Sequence, residues 1–495
     1  MIARTLLPLA LLAAPSLAFA QQAEKDAQTY LARIAALDDA GPQLNAVIAV
    51  NPQASEDARA AEAAGLPLAG RTVLVKDNIE TRELPTTAGS LALAGNLTGR
   101  DAPLIANLRA AGGVVLGKTN LSEWANMRDN NSTSGWSAVG GLTRNPWATD
   151  RNTCGSSSGS GAAVAANLAW AAIGTETDGS IICPASTNGV VGFKPTVGLV
   201  SRTHVVPLSA SQDTAGPMAR SVADAALLLG AIAGPDPADP ATAEAGRHVS
   251  DFTAGLADAS LEGVRVGVLR NRIGPRADVA ALFDTALADL RAAGAVLVDV
   301  EAETDDALFD AEYTVLLYEF REGIGAYLST LPGKGMPQDL AGLIAFNRAH
   351  ADTELRWFGQ DVFELALETK DEDAYRDALA TSRRLSREEG IDALLGRNNV
   401  SFLVAPSRGP AWSSDLVNGD HYVGGYGLGS HAAIAGYPHL TVPMGTVEGL
   451  PVGLSFIGAQ WNDHAVLKAG AAYERARSVE IKAPSLEPWT PAGVR

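Results

Sequence analysis

Residues 154–184 read CGSSSGSGAAVAANLAWAAIGTETDGSIICP. Two polar runs, at 155–161 and 174–180, bracket an apolar, alanine-rich stretch. Such segments seldom build a core. Glycine permits positive φ and close approach of a ligand, and serine supplies hydroxyls that act as nucleophiles or proton relays. Set between apolar stretches, they read as functional loops on a rigid scaffold.

Working outward, apolar periodicity predicts helices at 23–37 and 53–64, then a strand at 70–76 whose apolar run stops at Lys76. A helix at 102–111 closes on Gly112-Gly113, and a short strand follows at 114–116. Residues 161–172 read as an alanine-rich helix and 190–200 as strand-like. Proline and glycine at 233–240 mark a loop, after which 264–269, 279–292 and 296–300 repeat strand, helix, strand. Residues 305–395 read as a charged, helical insertion, and strands return at 402–405, 439–442 and 453–457. This alternation predicts an α/β layered core in one large domain at 21–495, its centre at 70–220 and its late strands rejoining the early sheet.

Arg4, the apolar run 6–17 and Ala18-Phe19-Ala20 form a leader pattern at 1–20, cleaved near Ala20, so the chain is expected to be exported to the periplasm or secreted. A retained N-terminal anchor is the alternative. No later apolar stretch is long enough to span a membrane. A formal charge of −18 argues against nucleic acid or an anionic membrane as partner. No Cys/His pattern suggests a metal. The two cysteines, Cys154 and Cys183, can pair in an oxidising compartment, while two small buried thiols is the plainer reading.

Three chemistries compete for the serine runs. The string 112–119 matches a phosphate-loop pattern, but its middle reads as a strand and cannot cradle phosphate. Gly155–Gly159 fits a nucleophile elbow centred on Ser157, but polar residues 149–153 precede it where an apolar strand is needed. A serine hydrolase whose base is lysine needs a buried amine at a strand end, a fixed bridging serine, and a nucleophile beside free backbone amides. Lys76, Ser156 and Ser180 fit these roles.

Lys76-Asp77-Asn78, the 155–157 run and the 174–181 run, with Ser180 falling 24 positions after Ser156, resemble the amidase signature family. Residues 117–120, 145–147, 189–196, 211–218 and 435–438 are similar to it as well. The resemblance spans about 27–474 and implies a large mixed, twisted sheet covered by helices on both faces. It also implies Lys76 as base, Ser156 as a cis-peptide bridge, Ser180 as nucleophile, and an oxyanion hole from the amides of Thr177, Asp178, Gly179 and Ser180. Within the family the chain looks most like bacterial peptide amidases, which release ammonia from C-terminal carboxamides of peptides without cofactor or metal. The expected partner is thus a small-molecule or peptide amide. Aryl, aliphatic or cyclic amides are the alternative substrates, and a non-catalytic binding subunit is the alternative class.

The family pattern usually has aspartate and a second glycine where this chain has Glu176 and Asp178, arginine where it has Ile182, and often methionine where it has Asn126. Asn126 and Ser157 are candidate substrate contacts, Ser157 reading more readily as a hydroxyl that bonds the loop. Trp124, Trp136 and Phe358 are core or pocket wall. Lys76 has the bland alternative of a surface pair with Asp77 or Glu80. Oligomeric state is not legible.

Overall fold

The computed structural model describes residues 22–303, 306–333 and 335–491. The leader expected at 1–20 lies outside the described residues. Eleven strands form one sheet: β1 Val47–Val50, β2 Thr72–Lys76, β3 Val114–Thr119, β4 Ala171–Glu176, β5 Val191–Lys194, β6 Thr214–Ala219, β7 Arg265–Leu269, β8 Val296–Val300, β9 Phe402–Pro406, β10 His439–Val447 and β11 Leu450–Ile457. Their order is β1-β3-β2-β4-β6-β5-β10-β11-β9-β7-β8. The sheet is mixed. β3-β2-β4 and β9-β7-β8 run parallel, while β10 pairs antiparallel with both β5 and β11, so the late strands do rejoin the early ones.

Both faces are apolar, as buried strands require. Along β2, Val73 and Val75 join one hydrophobic cluster and Leu74 the other. The first cluster packs under helices Pro103–Ala110, Val222–Ile232, Ala277–Ala292 and Asp463–Ala476. The second packs under Gln22–Leu37, Ala54–Ala63 and Ser158–Ala165. Each fully buried Val, Leu or Ile contributes about 1.5–3 kcal/mol, so the central strands are held from both sides.

The sequence reading is corrected at 161–172. The helix is Ser158–Ala165, and 171–176 is strand β4. Asn167 takes a left-handed φ of 56° and ends the helical run, after which Ala171–Ile173 pair with β2. The strand expected at 190–200 is only Val191–Lys194, because Pro195 has no amide to continue the ladder. Conversely, the 114–116 strand extends through Gly117-Lys118-Thr119, which disposes of the phosphate loop.

The expected insertion is helical. Asp306–Ser329, Leu340–Ala349, Asp361–Glu368 and Glu372–Ser386 are its main helices. Its cluster of Leu317, Phe320, Ile324 and Phe363 packs on Trp124 and Leu208. That contact seats one end of Asp306–Ser329 over the ends of the central strands, where the polar runs lie.

Candidate active site

Lys76 is the last residue of β2 and is wholly buried, not a surface ion-pairing group. Its Nζ lies 2.8 Å from Ser156 Oγ, 2.8 Å from Thr175 Oγ1 and 3.2 Å from Thr175 O. Asn78 Nδ2 donates to the same Thr175 hydroxyl at 2.9 Å. Among the described residues no carboxylate makes an ion pair with this amine. Burial lowers its pKa to about 7, against the pull of the Asp213 and Glu176 charges.

The Gly155–Ser156 peptide is cis. Ser156 O accepts from Ser122 N at 3.0 Å. Gly155 has to be glycine, because a Cβ there would come within 2.1 Å of Ser122 Oγ. The rest of the serine run is anchored by its hydroxyls. Ser157 Oγ donates to Thr175 O at 3.0 Å and accepts from Thr175 N at 3.2 Å, while Ser157 N donates to Ser180 O at 3.1 Å. Ser157 is therefore a backbone brace, fully buried and off the cavity lining. Its hydroxyl donates to one backbone group and accepts from another, in keeping with the reading of a hydroxyl that bonds the loop.

The Ser180 segment is the turn between β4 and helix Ile182–Thr187. Glu176 Oε2 accepts from Ile181 N at 2.7 Å and Ile182 N at 3.0 Å, clamping both ends of the turn. Between those clamps, none of the amides of Thr177, Asp178, Gly179 and Ser180 has an acceptor among the described residues. Gly179 takes φ 73°, with nothing within 4 Å of where a Cβ would stand, so it is needed for backbone freedom rather than room. Thr177 Oγ1 donates to Asp213 Oδ1 at 2.6 Å and holds the turn from below.

Cys154 and Cys183 form a disulfide, with Cα atoms 5.9 Å apart, which corrects the plainer reading of two free thiols. It ties the residue two before Ser156 to the residue three after Ser180. The serine runs thus converge because helix Ser158–Ala165 and β4 fold back between them.

Ser180 opens onto a cavity of about 320 Å³. Asn126, Thr177, Asp178 and Gly179 line it from the early chain, as do Leu208 and Leu316. Asn126 Nδ2 donates to Ser134 Oγ at 3.1 Å, and its Oδ1 is buried without a partner. Trp124, Trp136 and Phe358 resolve as core. Trp124 packs edge-on against Phe363, while Trp136 and Phe358 sit around the buried Arg128.

Sequence reasoning missed the opposite wall, which comes from chain after β9: Arg408, Trp412, Asp420 and Tyr422 from an irregular stretch and Ser430 from the short helix Gly429–Ala435. It also missed Glu312, which receives Gln212 Nε2 at 2.9 Å beside the turn. Burial, then the Asp178 charge, pushes Glu312 up to about 8. Packing raises Asp178 too, against the Ser430 hydroxyl and Arg408. The residue is open to solvent through the cavity, so water offsets much of that rise.

A buried amine bonded to a serine, beside a second serine on a turn of unpaired amides, defines a hydrolase of the serine–lysine class. The profile of the Amidase family matches residues 27–467, and the chain belongs to the amidase signature family. It is an amidase.

The native peptide amidase of Stenotrophomonas maltophilia is similar at 50% identity and a TM-score of 0.88, over 94% of this chain and 95% of that one. An amidase family protein of Bacillus anthracis is similar at 34% identity and a TM-score of 0.84, over 94% of this chain and 89% of that one. A "probable amidase" of Arabidopsis thaliana is 38% identical over 91% of this chain and 86% of its own length.

Proposed function

We propose that this amidase hydrolyses the C-terminal carboxamide of peptides, with Lys76, Ser156 and Ser180 as the relay. The observation that carries the reading is the fully buried Lys76 Nζ, without a carboxylate partner among the described residues and 2.8 Å from Ser156 Oγ. A neutral amine has two N–H donors and one lone pair. Two contacts to Thr175 and one to Ser156 use all three.

Lys76 takes the Ser156 proton as Ser156 takes that of Ser180, and Ser180 Oγ attacks the amide carbon. The oxyanion forms against the unpaired amides of Thr177–Ser180, where losing one donor costs about 10²–10³ in rate. Ser156 returns the proton to nitrogen, the C–N bond breaks and ammonia leaves. Water then enters by the same relay and its hydroxyl replaces Ser180 on the carbonyl, giving the free carboxylate and restoring Ser180.

Likeness to a peptide amidase over nearly the whole chain supports a peptide as the acyl group. The disulfide supports an exported enzyme, in keeping with the leader pattern. Ammonia release is measured from amidated dipeptides, from simple aliphatic amides, and from peptides with only internal bonds. Release from the first set alone is expected, and it disappears in Ser180→Ala. Turnover of aliphatic amides only refutes the peptide reading, and full activity in Ser180→Ala refutes the mechanism.

A further inference from the structure

A second cavity, of about 480 Å³, adjoins the first. Arg408, Trp412 and Tyr422 line both, so they form a shared wall. The composition of the second cavity is unusual for a chain of formal charge −18. Three arginines, Arg151, Arg276 and Arg408, line it with one glutamate, Glu448. Arg276 pairs with Asp278, but neither Arg151 nor Arg408 is in an ion pair among the described residues.

Both guanidiniums are held by aromatic faces, and the charge of Arg408 also acts on Asp178 and Asp420 of the adjoining cavity. Arg151 lies 4.2 Å from the Trp489 ring centre and Arg408 lies 4.1 Å from that of Tyr422. In each, Nε is buried and has no acceptor, while Arg151 Nη1 donates to Ser413 Oγ at 2.7 Å. Stacking fixes the plane of a guanidinium and leaves its N–H edge for a carboxylate.

A peptide whose terminal carboxamide reaches Ser180 must trail its preceding residues out of the catalytic cavity, and the shared wall leads into the second one. We infer that the Arg151–Arg408 cavity is a subsite for an acidic side chain upstream of the scissile amide, its carboxylate taken by the two stacked guanidiniums. The inference rests on the peptide-amide reading above and adds a sequence preference to it.

The test is a series of acetylated peptide amides with Glu, Gln or Lys placed in turn at successive positions upstream of the terminal residue. At one position Glu is expected to exceed Gln in kcat/KM by roughly three- to tenfold, with Lys below Gln, and added salt shrinks the difference. In Arg151→Gln the ratio of Glu to Gln at that position falls toward one. Equal constants for Glu, Gln and Lys at every position overturn the subsite while leaving the peptide reading intact. So does a Glu preference that survives in Arg151→Gln. If no peptide amide is turned over while aliphatic amides are, both readings fall together.

Discussion

Two lysines, Lys76 and Lys118, stand at the ends of neighbouring parallel strands, and both are wholly buried. Lys118 makes an ion pair with Asp77 Oδ1 at 3.0 Å and meets Ile79 O, Pro85 O and Thr86 Oγ1. Among the described residues Lys76 meets two hydroxyls and a carbonyl. Burial lowers both amines, but at Lys118 the carboxylate next door pulls back toward the charged form. The difference teaches that burial alone does not make a base. Removing the counter-charge does, and here Asp77 turns to Lys118 and away from its own neighbour in sequence.

The sharpest way to break this comparison is to delete each amine. Lys76→Ala should lower kcat for ammonia release by on the order of 10⁴-fold or more while the protein still folds. Lys118→Met should do the reverse. It leaves Asp77 buried and unpaired, costing about 3–5 kcal/mol in urea unfolding, while the folded fraction keeps releasing ammonia. If the two variants exchange phenotypes, the assignment of base and brace is wrong.

A smaller effect is expected from the covalent tie between the serine runs, which has no counterpart at Lys118. Cys154→Ser with Cys183→Ser opens a loop of 29 residues and should reduce unfolding free energy by about 3 kcal/mol. The same loss should appear in the wild type under reducing agent and vanish in the double variant.

Smallest is the pH response. Lys76 is a base only when neutral, so kcat/KM should be flat above about 7 and fall below it, tending to roughly tenfold per unit. A profile flat down to about pH 5 would place the working proton elsewhere.

The central strands were legible, and Lys76, Ser156 and Ser180 could be singled out as candidates, because their signals are local. A continuous apolar run ending in a lysine reads as a buried strand end, and serine–glycine runs read as loops. Strand β6 was not legible, since Gly216 and Pro217 disguise it, although its neighbour β4 pairs along its whole length. Alanine was the source of the error at 161–172, being apolar without favouring one face, so it hid the point where helix gives way to strand. The disulfide depended on the loop at Cys154 meeting the first turn of helix Ile182–Thr187, which spacing alone does not fix. Arg408, Tyr422 and Ser430 left no pattern at all. Arg408 and Tyr422 sit in irregular chain and Ser430 on the short helix Gly429–Ala435, and all three reach the Ser180 cavity from after β9.

That sheet order has a consequence for how the enzyme comes into being. Its reactive groups are all present by Ser180, but the wall that encloses them is supplied after β9 and is seated by β10, which wedges between β5 and β11. During synthesis the lysine and both serines leave the ribosome hundreds of residues before the chamber around them can close. A nascent or C-terminally shortened chain that stops before β9 therefore carries Lys76, Ser156 and Ser180 without the far wall of the cavity.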